Sequence, residues 1–120
     1  MSPYLDVIVI PVPRAKLDTY KTMSAGWGKA HVRHGAMYFS DAIGDDVQPG
    51  KVTSFPQAVH LKDDETVVFS WIVYETRAER DRINEKVMSD PRLKDMMDPK
   101  TMPFDGMRMF MGGFKPVTSL

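Results

Sequence analysis

At 120 residues, with 16 Lys and Arg against 16 Asp and Glu and no cysteine, the chain is sized for one globular domain over residues 1–120. Zero formal net charge and 42% hydrophobic residues exclude a disordered tail, and the absence of cysteine excludes a disulfide-stapled scaffold and any metal site built on thiolates. No nucleic-acid partner is expected, because acids and bases alternate, as in Glu79-Arg80-Asp81-Arg82, and leave no basic stripe.

Tyr4 to Val12, rich in Val and Ile and closed by Pro11-Val12-Pro13, reads as a first strand. From Arg14 to His34, Leu17, Tyr20, Met23, Trp27, Ala30, His31 and His34 recur at helical spacing, with Gly35 placed as the cap and Gly26 and Gly28 weakening the middle. Ala36 to Ile43 reads as a second strand. In the long connection that follows, Ser54-Phe55-Pro56-Gln57 is a capping box that predicts one helical turn near Pro56 to His60. Thr66 to Tyr74 is the clearest strand. Thr76-x-x-Glu79 opens a helix through Ala78, Ile83, Val87 and Met88, and Asp90-Pro91 restarts a shorter one carrying Leu93, Met96 and Met97. Met107 to Phe114 supplies the last strand. No run approaches the roughly 18 apolar residues of a membrane span. The start, Met1-Ser2-Pro3-Tyr4-Leu5-Asp6, lacks a basic segment followed by an apolar one, so the cytoplasm is expected and a membrane is not.

Strand, helix, strand, strand, helix, strand is the order of an α+β, ferredoxin-like βαββαβ unit: a four-stranded antiparallel sheet with its helices on one face. Such a sheet should alternate, apolar toward the helices and polar toward water. The third strand is apolar on both sides, Val67, Phe69, Trp71 and Val73 against Val68, Ile72 and Tyr74, and the first strand sets Leu5, Val7 and Val9 against Ile8, Ile10 and Val12. One layer of helices covers one face, so the other predicts a homodimer. Whether Ile72 or Trp71 points away from the helices is open at this level.

Several blocks carry a resemblance: Gly44-Asp45-Asp46, Lys51-Val52-Thr53-Ser54-Phe55-Pro56, Thr66 to Tyr74, Met88-x-Asp90-Pro91-Arg92, Met102-Pro103-Phe104-Asp105-Gly106 and Gly112-Gly113-Phe114. In these the chain resembles the YbaA-like family of small bacterial proteins of unknown function. The resemblance implies a dimeric α+β barrel, in which two ferredoxin-like protomers pack sheet to sheet. That superfamily includes cofactor-free quinol monooxygenases, haem-degrading enzymes and lactone isomerases, so the fold alone does not choose an activity. His31 stands where the family usually has tryptophan and Arg33 where it has an acid, which would make chemistry at His31 peculiar to this chain.

The candidate ligand-binding set is His34, Trp71, Asp105 and Arg108. Asp105-Gly106 should turn the chain so that Arg108 can pair with Asp105, and an arginine beside a large aromatic anchors a planar or carboxylated ligand. A structural salt bridge over a core tryptophan competes with that reading. His31 and His34, one turn apart, would need a third group such as His60 to hold a metal; helix-end hydrogen bonding for His34 and packing for His31 explain them better. Met107, Met109 and Met111 alternate and could offer thioethers to a soft ion, but adaptable core filling is the stronger explanation. Asp45-Asp46 and Asp63-Asp64-Glu65 read as solvated turns, Ser70 lacks nucleophile-elbow glycines, and no phosphate-cradling loop is present. No catalytic residue is assigned, and neither metal nor cofactor is expected. The expected function is a homodimeric small-molecule-binding protein, in its sharpest form a cofactor-free enzyme with a pocket between sheet and helices partly lined by the methionine-rich segment. The alternative is a structural or regulatory homodimer without catalysis.

Overall fold

A computed structural model describes residues 3–119. Strand β1 spans Tyr4–Pro13 and runs through a single 3-10 turn, Arg14–Lys16, into helix α1, Leu17–Arg33. Strand β2 is Tyr38–Ile43, α2 is the single turn Phe55–Ala58, β3 is Glu65–Tyr74 and α3 is Arg77–Met88. Three 3-10 turns, Pro91–Leu93, Asp95–Met97 and Gly106–Arg108, precede β4, Phe110–Phe114. The strands form one sheet in the order β2-β3-β1-β4, antiparallel at every pairing. This is the ferredoxin-like arrangement expected from the element order.

Local chemistry sets the boundaries. The Ser54 hydroxyl caps α2 by accepting from Gln57 N at 3.2 Å, and the Thr76 hydroxyl caps α3 by accepting from Glu79 N at 3.1 Å. Gly35, at φ +122°, ends α1 in a conformation that L side chains rarely adopt. Two expectations shift. The stretch from Asp90 to Met97 forms two 3-10 turns rather than one helix, the first capped by the Asp90 carboxylate on Arg92 N. Met107 lies in the turn before β4, nearly fully exposed, so Met107, Met109 and Met111 do not share one strand face.

Register decides which sheet face meets the helices. Ile8 pairs with Ser70, Ile10 with Val68 and Asp6 with Ile72, and Ile8, Ile10, Val12, Val68, Ile72 and Tyr74 are buried with Tyr20, Ala30, Ile83 and Val87 of the two long helices. Ile72 therefore points inward. Trp71, paired with Val7 on β1 and Ser40 on β2, points to the opposite face. There the connection before β3 covers one corner, where Val59 packs on Val9 and Val67. The rest of that face carries an aromatic row: Tyr38 stacks on Trp71 at 6.3 Å, Phe69 lies 5.7 Å from Trp71, and Phe55 meets Phe69 edge-on at 6.2 Å. Phe110 and Phe114, opposite Val9 and Leu5, extend it across β4 and are about half exposed.

Candidate functional site

Between the inner sheet face and the helices lies a cavity of about 310 Å³. Seven of the chain's ten methionines line it: Met23, Met88, Met96, Met97, Met102, Met109 and Met111. Trp27, Phe39 and Phe104 supply its aromatic walls. Room for it depends partly on Gly28, where a Cβ would stand 2.5 Å from the Phe39 ring; the glycine that weakens α1 lets that ring approach the helix.

Two polar clusters interrupt this apolar lining. Asp41 on β2 faces Ser70 on β3 in register, and Tyr20 and Ser24, four residues apart, share the α1 face above it. The Tyr20 hydroxyl donates to the two Asp41 oxygens at 3.1 and 3.0 Å, and the Ser24 and Ser70 hydroxyls each donate to the same carboxylate. Burial, and then the Asp41 charge, push the Tyr20 phenol well above its usual range, so it remains a donor.

The second cluster centres on Asp6 of β1, which is 1% exposed. Its carboxylate accepts from Tyr74 Oη at 3.0 Å, Arg80 Nη1 at 2.8 Å and Asn84 Nδ2 at 3.4 Å. An unpaired carboxylate at this depth would cost several kcal/mol, and Arg80 supplies the compensating charge. Beside this cluster sits His31, whose Nδ1 lies 2.8 Å from the Trp27 carbonyl oxygen. A carbonyl only accepts, so Nδ1 carries the ring proton. Burial lowers the pKa of His31 below its usual 6.5, outweighing the opposing pull of the Trp27 carbonyl and Asp6. The ring is a neutral imidazole near pH 7.

The four residues singled out from sequence take up separate places. His34 ends α1 with Nε2 3.4 Å from Asp90 Oδ2, a carboxylate shared with Arg33 at 3.0 Å and Arg92 at 3.1 Å. Trp71 lies on the outer sheet face. Asp105 caps the turn before β4 by accepting from Met107 N at 3.0 Å. Arg108 turns to Glu65, donating to its two oxygens at 2.5 and 2.9 Å, and to the carbonyls of Val59 and His60 at 2.8 Å each. It meets Asp105 only through the backbone, Arg108 N donating to Asp105 O at 3.1 Å.

The polar residues that do line the cavity, Asp6, Asp41 and Ser70 with Tyr20, Ser24 and His31, are not among the candidates drawn from the sequence as a set. Their signal was present. Asp6 and Ser70 occupy the same strand face as Ile8, Ile10, Val68 and Ile72, where only a hydrogen-bonded polar group is stable.

Over 114 residues, 95% of this chain and 96% of the relative, the sequence is 43% identical to the uncharacterized protein YbaA of Escherichia coli K12, and the same identity and coverage hold for YbaA of Shigella flexneri. Among solved structures, a dimeric ferredoxin-like protein from an uncultured marine organism matches with a TM-score of 0.64 at 12% identity, over 100% of both chains. A variant of SnoaB, a cofactor-independent oxygenase from Streptomyces nogalater, matches with a TM-score of 0.62 at 14% identity, over 100% of this chain and 98% of that one. At those identities the likeness is one of fold. The profile of the DUF1428 family, described as protein of unknown function, matches residues 3–106, and the chain belongs to that family.

Proposed function

We propose that this chain is a homodimeric small-molecule-binding protein that takes a small, planar, uncharged compound into the cavity of each protomer and acts on it with side chains alone, without a cofactor. The observation that carries the reading is the cavity itself, about 310 Å³, flexible and aromatic in its walls and polar at two defined places. Thioethers and aromatic rings suit a flat polarizable ring. No Lys or Arg is among the described lining residues, and while Asp6 is paired with Arg80, Asp41 is held only by neutral hydroxyls, so an anionic ligand would be repelled by Asp41. The carboxylated ligands considered from the sequence relied on Arg108, which is engaged by Glu65 outside the cavity lining. The aromatic outer sheet face supports the homodimer, and the likeness in fold to a cofactor-independent oxygenase supports the cofactor-free reading.

The test is a thermal-shift screen of planar neutral and planar carboxylated compounds, paired with native mass spectrometry of the purified protein. A neutral compound at one hundred times its Kd should stabilise the fold by about 2.7 kcal/mol, with one ligand per protomer. Stabilisation by carboxylates alone, or by no class at all, contradicts the reading.

A further inference from the structure

We propose that His31 is the catalytic base of the cavity and that its Nε2 takes the proton of a weakly acidic hydroxyl on a planar phenolic or enolic ligand. This rests on the cavity being a ligand site and adds to it a reacting group and a substrate class. The ring is 2% exposed, and the hydrogen bond from Nδ1–H to the Trp27 carbonyl, 2.8 Å long, fixes the tautomer. The lone pair is therefore on Nε2. His31 lines the cavity together with Asn84, whose side chain favours the protonated ring through a hydrogen bond. The Trp27 ring, 4.9 Å away, and the Phe39 ring, 6.1 Å away and nearly parallel, hold the imidazole in place.

Electrostatics suit the role. Burial keeps the ring neutral, the state in which a base must start, and His34 on the next turn of α1 acts in the same direction. Asp6 on β1 and Asn84 on α3 oppose them by favouring the protonated ring, so the imidazolium formed on transfer has a carboxylate nearby to stabilise it. In the step, the ligand O–H bond breaks and its electron pair stays on oxygen. An N–H bond forms at Nε2, and the product is an imidazolium beside a phenolate or enolate. The pair is neutral in sum. With no Lys or Arg in the described lining, the ligand enters uncharged and becomes an anion only where His31 can balance it.

The experiment uses the full chain with para-nitrophenol, whose phenolate absorbs in the visible, and para-nitroanisole, its methyl ether, as the probe without a proton. Bound to the parent protein, para-nitrophenol should ionise about one pH unit below the free probe, a tenfold shift. His31→Asn, whose amide can still donate to the Trp27 carbonyl, and His31→Phe, which keeps the ring shape, should bind both probes and show no such shift. If His31→Phe does not fold by circular dichroism, His31→Asn carries the comparison. An equal shift in the variants, or a parent that binds para-nitrophenol only as the neutral phenol, overturns the role of His31. In that case binding of para-nitroanisole shows that the cavity reading survives. If neither probe binds the parent, the cavity reading falls and the role of His31 with it.

Discussion

Arg108 grips Glu65 with two guanidinium hydrogen bonds, 2.5 and 2.9 Å long, and ties the turn before β4 to the first residue of β3. Glu65 is 4% exposed, so removing its partner strands a buried carboxylate. Arg108→Met is expected to cost roughly 3 kcal/mol of stability in chemical denaturation. The pair also sets a pH response. Arg108 holds the Glu65 carboxyl below its usual 4.5, so the folded state gives up this proton more readily than the unfolded one. The contribution is full above about pH 4.5 and is lost as pH falls through the folded pKa. Glu65→Gln should flatten this acid limb; a variant with the parent's acid limb would show that the stability lies elsewhere.

His31 should give a second, separate limb. Its folded pKa is depressed by burial, so below the usual 6.5 the unfolded chain takes up a proton that the folded chain resists. Stability is therefore expected to hold above about pH 6.5 and to decline as pH falls below it. The groups that act on the ring are the Trp27 carbonyl on α1, Asp6 on β1, Asn84 on α3 and His34 at the end of α1. Melting temperatures of parent and His31→Phe across this range should converge as pH is lowered toward 5. Parallel curves would mean that the ring charges freely in the folded state.

Trp71 and Ile72 are adjacent in β3 and face opposite ways, which makes them a matched pair for the proposed dimer. Ile72 is 1% exposed beneath the helices, so Ile72→Asp buries a charge without a partner and should prevent folding. Trp71→Asp places the charge on the outer face and should give a folded monomer. Sedimentation of the parent at micromolar concentration should show a dimer; a parent monomer, or a Trp71→Asp protein that still dimerises, removes the outer face as the interface.

Strand β3 and the Thr76 cap were readable because alternation and capping are local, and the split β-α-β order followed from them. The facing of β3 was not, since both sides are apolar and only the register with β1 and the packing of α1 choose between Ile72 and Trp71. The same limit applies to the site. Pairing Arg108 with Asp105 was a local inference, but the arginine reaches Glu65, 43 residues earlier. Asp41, Tyr20, Ser24 and Ser70 converge from β2, α1 and β3, and no local pattern relates residues on three separate elements. The methionine excess was visible in the composition. That seven of those side chains surround one cavity is a property of the packing.

Those methionines provide the most direct test that the cavity takes a ligand. With the methyl groups carbon-13 labelled, each methionine gives its own NMR signal, and the fold supplies internal controls in Met37, which is 59% exposed, and Met107, 94% exposed, neither of which lines the cavity. Titration with para-nitroanisole should move the signals of cavity methionines such as Met96, Met102 and Met109, saturably and together, while Met37 and Met107 stay in place. Signals that do not move, or shifts as large at Met37 and Met107 as in the cavity, would contradict a ligand site between the sheet and the helices.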